Sequence, residues 1–385
     1  MLAFPSPDIH GGGWITGHRS FHSLALLYAI CKSGWLVISV SYRLSPWVKH
    51  PTHLMDCKRS LAWIKQHAKE LGADASTIVV GGESAGAHLA CLLALTPNIP
   101  YLQPGFEQVD TSVSGVVDLY GAHDFTDSSY HFRCHEDPHS LLGGFDVFLH
   151  RMVMGTRLDS NPADYAMASP LFRLSSFPDK PKHIPPFFGC HGTADDLVPV
   201  GDSDAFYRAL RKKRVQAQRE YEEAVERFEA ESAGSSHSIS GGVSPPSRSL
   251  PPLQPFCLRH HDVYVRVPGA SHAFNNVMGP RSFALNDSVT AWMLALLSSL
   301  RERRAEVAAR KELRAHASEH SASVLEDYST AAASSNAAKR PATHSVSPHD
   351  ALESEERRQA EEEERADRQQ RAASADGPLF LLPKL

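Results

Sequence analysis

Residues 78–93 read Ile-Val-Val-Gly-Gly-Glu-Ser-Ala-Gly-Ala-His-Leu-Ala-Cys-Leu-Leu. An apolar β-branched run passes through Gly82-Glu83-Ser84-Ala85-Gly86 into a segment suited to a helix, the order expected of a serine carried on a sharp turn between a strand and a helix. Glycine is required two residues either side of Ser84, because a side chain there would collide with the neighbouring strand and helix while the turn is strained. Ser84 is thereby predicted to stand exposed at the top of a sheet, as a candidate nucleophile. A Gly-x-Ser-x-Gly match alone is a weak signal, since ordinary glycine and serine turns satisfy it. The rest of the chain has to supply what such a serine needs.

A serine hydroxyl attacks poorly without a base, and the base needs an acid to orient it, in the chain order Ser, Asp, His for this kind of turn. Downstream, the strand-like Pro185–Cys190 runs into His191-Gly192-Thr193-Ala194-Asp195, placing Asp195 in a loop at a strand's C-terminal end, where ligands gather in open α/β sheets. Asp196 beside it is the less favoured acid. Alternation over Val263-Tyr264-Val265-Arg266-Val267 predicts a further strand, and the loop that comes after it contains His272, the candidate base. Upstream, His10-Gly11-Gly12-Gly13 precedes Trp14. Backbone N–H groups of Gly11 and Gly12, with that of Ala85, are the candidate oxyanion hole, glycine being suited where the backbone itself must approach a substrate. His10 is read as a tie for the glycine loop, Glu83 as a structural hydrogen-bond acceptor, and Trp14 as either a substrate contact or plain packing.

The HGGGW, GESAG, HGTADDLVP and PGASHAF segments, together with SVSYRLSP (residues 39–46) and Tyr120-Gly121-Ala122-His123-Asp124, resemble the hormone-sensitive-lipase-like branch of the α/β-hydrolase superfamily, nearest to its actinobacterial lipase and esterase members. The resemblance covers residues 8–213 and 262–300, and its motifs are specific as an ordered set. It implies a mostly parallel sheet covered by helices on both faces, a Ser84–His272–Asp195 triad, and hydrolysis of carboxylic esters with short or medium acyl chains, with no cofactor and no metal. A second function class stays open: a catalytically inactive small-molecule-binding protein on the same scaffold. Such relatives usually lose a triad member, whereas all three candidates are present.

Composition narrows the partners. A formal net charge of −5 gives no electrostatic reason to expect nucleic acid or an anionic membrane surface. The six cysteines (31, 57, 91, 134, 190 and 257) show no metal-type spacing and read as reduced thiols. No apolar run approaches the roughly 18 residues of a membrane helix, and no secretory core is visible near Met1, so the default compartment is the cytoplasm. A small-molecule ester is the expected partner, and oligomeric state is not legible.

Helix and strand signals alternate along residues 1–300, as a parallel sheet requires. Residues 20–33 read as helix, 34–42 as strand, 53–71 as helix, 113–120 as strand and 282–300 as a covering helix. Residues 123–184 are too long for a simple connection and read as a lid or pocket-wall insertion. Residues 214–260 begin as charged helix and become rich in Ser, Gly and Pro, a composition expected to be disordered. Residues 301–385 read as a low-complexity, solvated tail or loose helix. Only nine residues precede His10, whereas the resemblance implies extra strands and a complete central strand there, and Pro5 and Pro7 cannot donate to a sheet. The reading favours a sequence truncated at its N-terminus.

Overall fold

Val79 and Val80, Val116 and Val117, Phe187 and Phe188 are adjacent in sequence and buried on opposite sides of one sheet, because successive side chains of a strand point to opposite faces. That is why the strands carry continuous apolar runs: both faces are covered. The computed structural model describes residues 4–20, 23–126, 148–175, 184–234, 250–256 and 262–335. Its strands are β1 (Phe4–Ile9), β2 (Trp35–Val40), β3 (Val79–Glu83), β4 (Gly115–Leu119), β5 (Phe187–Gly192) and β6 (Val263–Val267). They form one sheet in the order β2-β1-β3-β4-β5-β6, with every pairing parallel.

Helices α1 (Leu24–Lys32), α2 (Thr52–His67), α3 (Ala85–Leu95), α4 (Pro162–Ala168), α5 (Pro170–Ser175), α6 (Val200–Gly234) and α7 (Pro280–Ser335) complete the described elements of regular α-helix. Leu54, Leu61 and Ile64 of α2, the apolar run of α3, and Phe206 and Leu210 of α6 pack with Ile9, Val80, Val116 and Phe187. Leu26 and Ile30 of α1, with Val289, Met293 and Leu296 of α7, pack with Trp35, Val79, Val117 and Phe188 on the other face. Two layers of helix thus enclose the sheet, the architecture that the motif order implied.

β1 pairs with β2 along its length but with β3 only at Asp8 and Ile9. Pro5 and Pro7 are accommodated within a strand because they lie two residues apart, so their missing N–H groups fall on the same side, and an extended φ suits proline. The chain divides into two compact units, Met1–Arg314 and Ala315–Leu385; of the second, the helical backbone of residues 315–335 is described. Within the first, Arg304 donates to Asp74 at 2.9 Å and to Thr77. The stretch Pro280–His316 of α7 contains a window long and apolar enough to cross a bilayer, against the expectation of none. Its residues Leu285, Val289, Trp292, Met293, Leu296 and Leu297 are buried in the apolar cluster on the sheet, the pattern of a covering helix.

The expected insertion at 123–184 falls partly outside the described residues, at 127–147 and 176–183. Its described part holds α4, α5 and a π-helical turn at Leu149–Met154, joined by turns. Phe125, Leu149, Val153, Tyr165 and Leu174 are buried in the core cluster that also holds α3. Most of the segment expected to be disordered, residues 235–249 and 257–261, and the tail from 336 onward lie outside the described residues. The charged residues 214–234 are the second half of α6.

Candidate active site

β3 ends at Glu83, α3 begins at Ala85, and Ser84 between them has φ 54° and ψ −119°, a conformation that L-residues adopt only under constraint. The surrounding glycines show the constraint. A Cβ on Gly82 would stand 2.4 Å from the Gly86 carbonyl carbon, and one on Gly86 would stand 1.9 Å from the Ile9 carbonyl oxygen. The turn is pinned from the sheet side by Ser84 N–H donating to the Leu119 carbonyl at 2.9 Å.

Asp195 lies just beyond β5 and His272 just beyond β6, so both arrive at the same C-terminal edge of the sheet as Ser84. Their two loops are bound together: Ala194 N–H donates to Ala270 O at 2.9 Å, Thr193 N–H to Val267 O at 3.0 Å and Gly269 N–H to the Thr193 hydroxyl at 2.8 Å. The result brings the three residues together. His272 Nε2 lies 2.9 Å from Ser84 Oγ, and His272 Nδ1 lies 2.7 Å from Asp195 Oδ2. Asp196 is exposed, and it is Asp195, whose side chain is fully buried, that faces His272.

Asp195 Oδ1 accepts the N–H groups of Leu197 (3.0 Å) and Val198 (2.8 Å), and Oδ2 accepts from His272 and from His191 Nε2 at 3.2 Å. Burial disfavours the charged carboxylate, but the hydrogen bonds from His191, His272 and Val198 overrule it and hold the group well below the usual carboxylate range. Asp195 is therefore anionic at any ordinary pH and faces His272 Nδ1 as an acceptor. In the Nδ1–H tautomer that this contact selects, Nε2 offers a lone pair to the Ser84 hydroxyl.

The glycine loop runs beside this trio. Gly12 and Gly13 have φ of 109° and 59°, and the Gly12 carbonyl is taken by Ile15 and Thr16 N–H at 3.2 and 3.0 Å. A Cβ at Gly11 would stand 3.0 Å from the Glu83 carbonyl oxygen and 3.4 Å from Ser84 Cβ, which shows how closely this loop approaches the elbow. Gly11, Gly12 and Ala85 line a cavity of about 450 Å³ together with Ser84, His272, Ile15, Phe148, Leu197 and Val198. His10 stacks on Tyr42 with ring centroids 4.4 Å apart and closes against Gly17, a tie for the loop. Trp14 is 3% exposed, and its indole N–H donates to His88 Nδ1 at 3.2 Å. His88 in turn lies 2.8 Å from the Ala168 carbonyl and is kept neutral by burial, which lowers it to about 3. Trp14 therefore supports the loop from beneath while bordering the cavity.

Two groups of side chains around the site were not singled out by the sequence. Asn275 donates to Glu83 at 2.7 Å and accepts from the Tyr120 hydroxyl at 2.5 Å, while the Tyr120 ring meets His272 edge-on at 4.9 Å between centroids. These bonds tie the loop carrying His272 to the elbow and to the end of β4. The second group is His191, Ser203, His123 and Asp118, buried behind Asp195. Tyr120 and His123 stand in the YGAHD motif and His191 in HGTAD, yet a motif does not say what its polar side chains touch. Cys91, Asp118 and His123 bring three metal-type ligand atoms within 4.8 Å of one another. Asp118 Oδ2 already accepts from His123 Nε2 at 2.9 Å and from the Tyr207 hydroxyl at 2.8 Å, so these groups are engaged in hydrogen bonds within the core.

The BD-FAE family model matches residues 8–210, just over half of the chain. Among relatives from Mycobacterium tuberculosis, the "Probable carboxylic ester hydrolase LipM" is 39% identical over 205 residues, covering 53% of this chain and 44% of LipM. The esterase LipQ is 36% identical over 204 residues, covering 53% of this chain and 45% of LipQ. The chain thus matches less than half the length of these relatives. Among solved structures, a truncated carbohydrate esterase from gut microbiota superposes with a TM-score of 0.53 at 18% identity, covering 76% of this chain and 87% of that one. A carboxyl esterase of the mycorrhizal fungus Tuber melanosporum gives a TM-score of 0.51 at 22% identity, covering 77% and 79%. These two likenesses concern the fold. The chain belongs to the BD-FAE family, and with it to the hormone-sensitive-lipase-like α/β-hydrolases that its motifs resemble.

Proposed function

We propose that this protein is a serine hydrolase of carboxylic esters, acting through Ser84, His272 and Asp195. The observation that carries the reading is the continuous hydrogen-bond line from Ser84 Oγ through His272 to Asp195, at 2.9 and 2.7 Å. His272 Nε2 takes the Ser84 proton as Oγ attacks the ester carbonyl, and Asp195 stabilises the imidazolium that forms. The carbonyl oxygen becomes an oxyanion, received by the backbone N–H groups of Gly11, Gly12 and Ala85. Each such donor is worth about 3 to 4 kcal/mol of transition-state stabilisation. His272 then returns its proton to the departing alkoxide, leaving Ser84 acylated. A water molecule, deprotonated by the same imidazole, attacks the acyl carbonyl and frees the acid and Ser84.

The cavity supports an ester of short or medium acyl chain: about 450 Å³ is space for a small substrate, and Ile15, Phe148, Leu197 and Val198 give it apolar walls. The named activities of LipM and LipQ support the same reaction class. Two measurements test the reading. A fluorophosphonate probe is expected to label Ser84, and Ser84→Ala is expected to lower turnover of p-nitrophenyl acetate by at least ~10³-fold. A folded protein in which Ser84 takes no label is a binding protein on a hydrolase scaffold and no esterase. A profile over p-nitrophenyl esters of increasing chain length reads the size of the acyl site.

A further inference from the structure

The Asp195 carboxylate is the meeting point of two hydrogen-bond chains, and only one of them runs to Ser84. The other begins at His191 in β5, whose side chain is fully buried. His191 Nε2 lies 2.8 Å from the Val198 carbonyl and 3.2 Å from Asp195 Oδ2, and its Nδ1 lies 2.7 Å from Ser203 Oγ on the first turn of α6. Ser203 Oγ is 3.4 Å from Nδ1 of His123, whose Nε2 is 2.9 Å from Asp118 Oδ2.

Donor and acceptor counting gives this chain one direction. Val198 O and Asp195 Oδ2 are both acceptors, so His191 Nε2 carries the proton and is shared between them. In the Nε2–H tautomer Nδ1 has only a lone pair, and the Ser203 hydroxyl donates to it. With its hydrogen spent there, Ser203 Oγ offers a lone pair to His123 Nδ1. His123 donates from that nitrogen and from Nε2 to Asp118, so it is the imidazolium. Burial opposes that charge, but Asp118, aided by Asp202 and Asp124, overrules it and raises His123 above its ordinary value. Every bond from Asp118 to Asp195 therefore agrees with its neighbours, and the sequence of donors ends on the same oxygen that faces His272.

We propose that His191 is a positioning residue for Asp195, held in one tautomer by Ser203, His123 and Asp118, so that the acid keeps Oδ2 turned to His272. This rests on the esterase reading above. A carboxylate offers about two acceptor sites on each oxygen, and here all four are filled: Leu197 and Val198 N–H on Oδ1, His272 and His191 on Oδ2. Without His191, Oδ2 loses its one partner besides His272 among the described residues, on a side chain that is fully buried. The carboxylate then tilts or pulls the imidazole out of line, and a misalignment at this point is felt in the chemical step and not in substrate binding.

A purely packing role for His191 predicts lower stability with unchanged chemistry, so the test reads both. Three variants serve: His191→Leu removes the donor, His191→Gln returns an amide N–H near the Nε2 position and an acceptor for Ser203, and Ser203→Ala cuts the chain one link further back. kcat and KM for p-nitrophenyl acetate, the thermal midpoint, and the downfield proton resonance of the His272 Nδ1–H are measured on each. His191→Leu is expected to lower kcat by about 10- to 100-fold, the worth of one hydrogen bond to a charged group, with KM within about threefold. His191→Gln is expected to recover kcat to within about fivefold, and the resonance, displaced in the leucine variant, to return with it. A folded His191→Leu with wild-type kcat and an unmoved resonance overturns the inference. So does a folded His191→Gln that restores the thermal midpoint but neither kcat nor the resonance. If the leucine variant does not fold, Ser203→Ala decides: wild-type kcat and resonance there also overturn it. A wild-type protein that turns over no ester sinks the esterase reading instead, while the resonance still reports whether His191 sets the Asp195–His272 contact.

Discussion

Exchanging Asp195 for asparagine replaces one carboxylate oxygen by NH₂, and the surrounding donors decide how the new side chain sits. The carboxylate accepts from four groups, two backbone N–H groups on one oxygen and two imidazoles on the other. An amide has one acceptor oxygen and one NH₂. With the NH₂ toward Leu197 and Val198 it meets two backbone donors, 3.0 and 2.8 Å away in the native chain, that have no second form. With the NH₂ toward the two imidazoles the conflict is relieved by moving the His272 proton from Nδ1 to Nε2, while His191 keeps its Nε2–H on the Val198 carbonyl at 2.8 Å. The second arrangement is preferred, and it points a proton at Ser84 where a lone pair is needed. The expected loss in kcat is about 10⁴-fold, or about 5 kcal/mol of barrier, as for a triad acid made into an amide. The assay is p-nitrophenyl acetate hydrolysis alongside thermal unfolding, with Asp196→Asn as the control, expected within about twofold of wild type because that side chain is exposed. An Asp195→Asn protein that folds normally and keeps more than a tenth of wild-type kcat refutes the reasoning.

Further expectations concern the supports of the site. Gly86→Ala puts a methyl group 1.9 Å from the Ile9 carbonyl, a clash with backbone that no rotamer relieves. A destabilisation of about 3 kcal/mol or more is expected in urea unfolding, and a variant as stable as wild type contradicts the packing described. Tyr120→Phe removes the hydroxyl held by Asn275 and is expected to lower stability by about 1 to 3 kcal/mol through the orphaned acceptor. Lys58, fully buried with Nζ directed at the Thr96 carbonyl and 3.1 Å from Thr111 Oγ1, is lowered to about 7, first by burial and then by Arg173, against a smaller opposing effect of Asp110. Between pH 7 and 10 the unfolded chain binds more protons at this lysine than the folded one, so its contribution raises stability as pH increases. At about 1.4 kcal/mol for each tenfold of that offset the window carries a few kcal/mol, and Lys58→Met is expected to flatten it. Unfolding free energies of both proteins at pH 7 and pH 9.5 check this, and parallel slopes defeat it.

The strands were legible because a parallel sheet buried on both faces writes itself as uninterrupted apolar runs, as at Val79-Val80, Val116-Val117 and Phe187-Phe188. Helix ends were less so. Residues 214–234 read as the start of a charged insertion, yet they continue a helix that begins at Val200, because nothing in their local pattern marks a break. The closing helix, expected to stop near 300, runs on to Ser335, and Arg304 binds Asp74 and Thr77 some 230 residues earlier in the chain. Pro5 and Pro7 argued against a strand that does form, because a missing donor matters only on the side where a neighbour needs it.

Ser84, Asp195, His272 and the glycine loop could be named from the chain alone, since each stands in a short segment whose residues are required by local backbone geometry: glycines where a Cβ does not fit, an acid and a base just past the end of a strand. Which aspartate faces His272, where Trp14 points its N–H, and how Asn275 and His191 came to stand behind the trio depend on the tertiary fold. The contacts of Trp14 with His88, Asp195 with His272 and Asn275 with Glu83 join residues 74, 77 and 192 positions apart. Their partners are chosen by which strand ends the sheet order makes neighbours, and no local pattern of side chains encodes that order.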